Sequence, residues 1–199
     1  GCYQVLGSVH LDIPGQTDPG DGYHRSLDLK KAIAYTTTKD QKRTYFTSFA
    51  DDVGIIRLES KKRTRMVIRL DRPRQFTTTV ENNSLIMKGV LSSGVAGKNG
   101  TQYVARIGVN NPGGSVLYAG DSIVLENVRK ATLVFSAATD YFNQDPEALC
   151  GELLQKALSK KYRQLRKDHI RSYQSLFDRV SLQLGPYRKA TNLPTDQRL

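Results

Sequence analysis

From Tyr3 to Ala137 the chain is broken into short apolar runs, each closed by residues that favour turns. The separators are Glu81-Asn82-Asn83, Gly97-Lys98-Asn99-Gly100, Asn111-Pro112-Gly113-Gly114 and Ala119-Gly120-Asp121. Asn, Gly and Pro reverse a chain at low steric cost, so each cluster marks a reversal rather than a passage. Roughly a dozen short strands at near-regular spacing, with no helical period between them, predict antiparallel sheets packed as a sandwich. The fold class is therefore mainly β.

Val9, Leu11 and Ile13 alternate with His10 and Asp12, which is the pattern of a half-buried strand. A Pro- and Gly-rich loop, Pro14 to Gly22, leads to a short run from Tyr23 to Leu29. Ala32 to Thr38 and Thr44 to Ala50 form a hairpin around the polar turn at Lys39–Lys42. Val53 to Leu58 is nearly continuous apolar sequence, as expected of a strand covered on both faces. Lys61-Lys62-Arg63 is expected to turn the chain into a separate strand carrying Met66, Ile68 and Leu70. Ile123 to Leu125 and Ala131 to Ala137 likewise read as two strands.

The pattern changes at Asp145. Its carboxylate can cap free amides, and Pro146 occupies a first-turn position where a missing N–H costs nothing. Leu149, Leu153, Ala157 and Leu158 recur at helical spacing, and after Ser159-Lys160-Lys161 so do Tyr162, Leu165, His169, Tyr173, Leu176, Phe177 and Val180. An α-helical hairpin follows the sandwich, with its reversal at Lys160. Beyond it Val180, Leu182 and Leu184 alternate with Ser181 and Gln183, which predicts a strand ended by Gly185-Pro186. The expected organisation is a β-sandwich over residues 1–142, a two-helix linker over 143–180, and a short strand with an extended tail over 181–199.

The net charge of +11 raises the question of a nucleic-acid or anionic-glycan partner. Its densest groups, Lys61–Arg65 and Lys160–Lys167, lack interleaved aromatics and read as solvated faces, so no nucleic acid is expected. No apolar run approaches the ~20 residues that a membrane span needs, and no membrane contact is expected. Cys2 and Cys150 are not expected to pair, because a chain of this size needs no staple.

Chemistry is sparse. His10, His24 and His169 have no metal-ligand spacing, no phosphate loop precedes a helix and no serine sits at a nucleophile elbow, so neither cofactor nor metal is expected. A glycosidase needs two carboxyl groups about 5 to 9.5 Å apart. The candidates Asp51-Asp52, Asp121 with Glu126, and Asp18 with Asp21 are each better explained by turns. Ten tyrosines keep a sugar-binding surface open, although Trp is absent. His169 sits on the apolar stripe of the second helix, where a hydrogen-bonded histidine at an interface is expected.

Several segments together resemble the amino-terminal region of glycoside hydrolase family 95, the α-L-fucosidases and related α-L-galactosidases. Tyr3-Gln4-Val5-Leu6-Gly7-Ser8 is similar to the family's YQPLGD run, with Val5 for proline and Ser8 for aspartate. Tyr23-His24-Arg25-Ser26-Leu27-Asp28-Leu29 is similar to its YRRELDL strand. Asp145–Leu149, His169, Tyr173–Leu182 and Leu193-Pro194-Thr195-Asp196-Gln197-Arg198-Leu199 resemble its helical linker and LPTDERL segment. The resemblance implies a sandwich, a linker and then an inverting (α/α)6 barrel that uses a glutamate acid and an asparagine–aspartate pair. None of those catalytic residues has a counterpart here. It also implies a secreted or periplasmic parent hydrolase.

On this basis the chain is expected to be an inactive, truncated piece of such an enzyme. Its partners would be the parent's catalytic barrel and, through it, a fucosylated oligosaccharide. His169, Tyr173 and Phe177 would form the interdomain contact, and uncovered edges would favour self-association. Two alternatives stand beside this: a stand-alone carbohydrate-binding sandwich, and a basic protein binding nucleic acid or anionic glycan.

Overall fold

The computed structural model describes residues 4–14, 22–95, 97–110, 113–142, 144–182 and 185. Among the described residues ten strands form one antiparallel sheet that folds over itself, and two helices follow. The first four strands are β1 (Ser8–Asp12), β2 (His24–Asp28), β3 (Ile33–Thr37) and β4 (Gln41–Ser48), leading into the long β5 (Val53–Asp71). Then come β6 (Thr77–Glu81), β7 (Ser84–Ser92), β8 (Asn99–Asn110), β9 (Ser115–Ala119) and the long β10 (Ser122–Thr139). The helices are α1 (Pro146–Leu158) and α2 (Tyr162–Phe177).

The larger layer runs in the order β2-β3-β4-β5-β10-β8-β7-β6, while β1 and β9 flank the remaining halves of β5 and β10 to make the smaller one. Two long strands therefore belong to both layers, which is why ten strands stand where about a dozen are expected from sequence spacing. The turn expected at Lys61-Lys62-Arg63 is strand instead. These residues are charged because β5 crosses from one layer to the other there, outside the inter-layer core that it lines on either side, so both of its faces meet water.

The side-chain phase shows how this works. In the first half of β5, Val53 and Ile55 point to the helices, while Ile56 and Leu58 point between the layers. Both faces are buried, as the continuous apolar run predicts. Past the bend, Met66, Ile68 and Leu70 line the inter-layer core. In β10 the register against β5 shifts between Leu125 and Val128 and again between Val128 and Lys130. Asn127 takes a left-handed conformation, φ 59°, at this point. An extra residue in one strand increases its bend and resets which face its side chains occupy. The bulges thus keep Leu125, Val128, Ala131 and Leu133 on one core while the strand passes between layers.

Asp145 caps α1 by accepting the Ala148 N–H at 2.9 Å, and Pro146 opens the helix, as the sequence predicts. The buried stripe is rotated from the expected one: Cys150 and Leu154 lie at its centre with Ala157, while Leu153 and Leu158 sit on its flank. The reason is the floor beneath. Gly108 of β8 presents no side chain, which leaves room for Leu158 and Leu154; a Cβ there would stand 2.8 Å from a Leu158 methyl, which would have to shift. Ser136 also donates to the Cys150 carbonyl at 2.7 Å, drawing that residue inward, and burial pushes the Cys150 thiol above its ordinary pKa. Cys2 lies outside the described residues.

After α2, Val180, Ser181 and Leu182 are exposed and not in a strand. Alternation alone does not make a strand without a neighbour to pair with. Leu184 and the tail from Pro186 lie outside the described residues.

Candidate interdomain surface

The corner between the helices is held by buried polar contacts. Asn110, at the end of β8, donates to the carbonyls of Leu158 and Lys160, both at 2.7 Å. The Lys160 ammonium reaches Asp51 at 2.5 Å and Asp168 at 3.3 Å, and Ser48 donates to the other Asp51 oxygen at 2.9 Å. The Asp51 side chain is 1% exposed. It is therefore a structural carboxylate, not half of a catalytic pair, and Lys160 is its counter-ion, not part of a solvated face. The bond to Asp51 raises the Lys160 ammonium above its ordinary value of 10.5. Gln164, and then Lys160, hold Asp168 below the usual carboxylate value.

From that corner α2 runs along the tip of the β2–β3 hairpin and grips three consecutive carbonyls. His169 Nε2 contacts Lys31 O at 2.9 Å, Gln174 donates to Lys30 O at 3.1 Å, and the Tyr173 hydroxyl donates to Leu29 O at 2.8 Å. A carbonyl can only accept, so Nε2 carries the proton on His169. Asp28 and Lys31, 2.6 Å apart, staple the same turn, and this bond lowers the Asp28 pKa.

An aromatic ladder climbs the same face. His169 stacks on the buried Phe46 with centroids 4.7 Å apart, Tyr173 follows at 6.3 Å and Phe177 stacks on Tyr173 at 5.1 Å. Spacing of four along a helix places the side chains one above another. The lower rungs are buried. The upper end is not: Leu176 is 56% exposed, Phe177 41%, Val180 83% and Leu182 81%. Leu27 on β2, an outer strand of the larger layer, and Leu29 in the turn that follows it are also open. The sequence singles out His169, Tyr173 and Phe177, and the structure joins them in one stack. Gln174, Lys160, Phe46 and the hairpin carbonyls escaped it, because a backbone acceptor leaves no mark in a sequence.

The other candidate groups have ordinary structural roles. His10 bonds to Asp71 at 2.9 Å, and Glu126 accepts from Arg65 at 2.7 Å. His24 begins β2 on the surface. Asp52 and Asp121 are exposed turn residues, and Asp18 and Asp21 lie outside the described residues. Among the described residues no group of His, Cys, Asp and Glu could hold a metal ion, and no helix is long and apolar enough to cross a membrane.

Residues 1–144 match the model of the glycosyl hydrolase family 65 N-terminal domain. The chain belongs to this family of N-terminal domains. The family 65 domain match ends just before the Asp145 cap. A second model, the glycosyl hydrolase family 95 catalytic domain, matches residues 161–199, beginning at the residue before α2. Helix α1 falls between the two.

The curated relatives of this family 65-type domain include "Probable alpha-fucosidase A" of Aspergillus niger, 29% identical over 226 aligned positions, covering 100% of the chain and 28% of that protein. "Alpha-L-fucosidase 2" of Arabidopsis thaliana is 23% identical, covering 92% of the chain and 26% of that protein. The chain thus spans about a quarter of the length of these relatives. Among solved structures, "Putative kojibiose phosphorylase from human microbiome" superposes with a TM-score of 0.56 at 12% identity, over 85% of the chain and 27% of that protein. That likeness shows the fold. The fucosidase relatives and the family 95 match agree with the resemblance drawn from the motifs.

Proposed function

We propose that this chain is the non-catalytic amino-terminal part of a family 95-like α-L-fucosidase, and that it braces the catalytic domain through the exposed end of α2 and the adjoining edge of β2. The observation that carries this is the aromatic ladder, which is anchored in the sandwich core and ends in uncovered Leu176 and Phe177. The occupant follows from the chain itself, because the family 95 catalytic match lies over residues 161–199. A helix held along its outer half by three carbonyls and at its start by the Lys160 ion pairs with Asp51 and Asp168 fixes the direction in which a following domain departs. Hydrolysis of a fucosyl bond belongs to that domain, since the described residues of this one offer no converging acid and base.

The test uses the 199-residue chain and a family 95 catalytic domain supplied separately. The chain alone should not cleave an aryl α-L-fucoside, and the two pieces should co-elute on gel filtration. Leu176→Asp with Phe177→Asp should abolish co-elution while leaving the circular dichroism of the chain unchanged. Cleavage by the chain alone would overturn the non-catalytic reading. Concentration-dependent dimers that Leu176→Asp with Phe177→Asp disperses, without capture of the catalytic domain, would assign the face to a second copy of the chain and overturn the brace.

A further inference from the structure

A groove of about 500 Å³ lies at the other end of the strand order from β2, where the β5–β6 loop crosses β7 and β8 beside the first turn of α1. The groove is built rather than incidental. Gln75 holds φ at 55°, a left-handed conformation that disfavours a residue with a side chain. The Tyr103 hydroxyl donates to its carbonyl at 2.6 Å, and the Arg72 guanidinium lies 4.6 Å over the Tyr103 ring. Gly89 completes the arrangement, because a Cβ there would meet the Gln75 carbonyl oxygen at 2.0 Å. Three elements are thus shaped to keep Gln75 in place.

The lining offers amides and an aromatic face. Gln75, Gln102 and Gln144 are exposed, and none of their side-chain amides bonds to another described residue. Phe76 is 37% exposed beside them. The charged groups are already engaged: Lys88 meets Glu147 at 3.0 Å and Glu81 at 3.8 Å, and the Asp145 carboxylate caps α1. Between Asp140, which accepts the Gln102 N–H at 3.0 Å, and Gln144 the chain carries Tyr141 and Phe142. These two rings pack edge to face at 4.6 Å and are 74% and 95% exposed. They stand next to the groove in sequence and are not part of its lining.

The geometry points to a binding site for a neutral oligosaccharide. Amides both donate and accept, as hydroxyl groups do, and aromatic faces take the apolar side of a sugar ring. Among the described residues that line the groove the one cation, Lys88, is already paired, so an anionic ligand would meet Glu147 and Asp145 unbalanced. The volume falls within the range of ordinary small-ligand sites. This site does not rest on the bracing role, since it uses the β6–β7–β8 end of the sheet and bracing uses the β2 end.

Titration of the ¹⁵N-labelled 199-residue chain with a neutral fucosylated trisaccharide tests it. The amide signals of Lys88, Gly89, Gln102 and Tyr103 should shift together. Gln75→Gly removes the amide yet tolerates the left-handed backbone, so the fold is kept; binding should weaken roughly fivefold, the loss of one hydrogen bond. Phe76→Ala, which removes the aromatic face of the lining, should weaken it by a similar factor. Two results would overturn the site: no shift at these amides up to about 20 mM sugar, or wild-type affinity in both variants. Loss of sugar binding with catalytic-domain capture intact, or the reverse, separates this inference from the brace.

Discussion

The two helices lie close together on the same layer but are held in opposite ways. Helix α1 buries Pro146, Cys150, Leu154 and Ala157 against the sheet, so its position is set by apolar area. Helix α2 buries only Leu165 and His169, and its outer half is placed by hydrogen bonds to a hairpin tip and by ring stacking. Apolar burial is non-directional and leaves no surface to spare. Directional polar contacts hold an element along one line and leave its remaining faces free. One helix closes over the sheet, and the other leaves its outer face open.

Substitutions at each helix should separate these modes. The largest loss is expected for Leu154→Ala in α1, because a fully buried leucine truncated in a packed site costs about 2–5 kcal/mol; urea unfolding measures it. Lys160→Met comes next, since it leaves the Asp51 carboxylate buried with Ser48 as its side-chain partner among the described residues, at a cost of about 1–3 kcal/mol. A similar loss in Lys160→Met and an exposed lysine control would show that the pair does not anchor the corner.

The same substitution has a pH signature. A lysine whose folded pKa is raised stabilises the fold fully below its unfolded value, and that contribution disappears as pH rises through the folded value. The stability gap between wild type and Lys160→Met should therefore be constant from about pH 6, where the carboxylates are ionised, to about pH 10, and narrow above it. A gap that widens with alkali would reverse the assignment.

Tyr173→Phe should cost less, about 0.5–1.5 kcal/mol, because one hydrogen bond is lost while the stack remains. Its effect should be local, with faster amide exchange in the β2–β3 hairpin and little change in β7 and β8. Phe177→Ala should change the stability of the isolated chain least, within about 0.5 kcal/mol, as expected of an exposed side chain. If Phe177→Ala destabilised the chain as much as Leu154→Ala, the contrast between the helices would fail.

The contrast was partly legible in the sequence. Spacing of four through His169, Tyr173 and Phe177 announces a face, and Asp145-Pro146 announces where the helices begin. The strand series and its turns follow from residues that act within a few positions of themselves. What stayed hidden depends on distant parts of the chain. The polar stretch Lys61–Arg65 looks like a turn until β10 is placed beside it, and Cys150 looks peripheral until Ser136 lies beneath it. The site at Gln75 depends on a φ angle and on a glycine 14 positions away, and neither has a local signal.

The passage of β5 and β10 through both layers bears on how the chain can be cut and rejoined. Surface segments rich in charge are ordinarily where a chain accepts an insertion or new termini, because little is lost there. Lys61–Arg65 has that composition without that freedom. A break there would sever the backbone common to both layers and leave two incomplete sheets, whereas a break at the Glu81–Ser84 turn would open a single hairpin. New termini belong at the hairpin tips, and the most charged stretch of the sandwich is the one that must stay continuous.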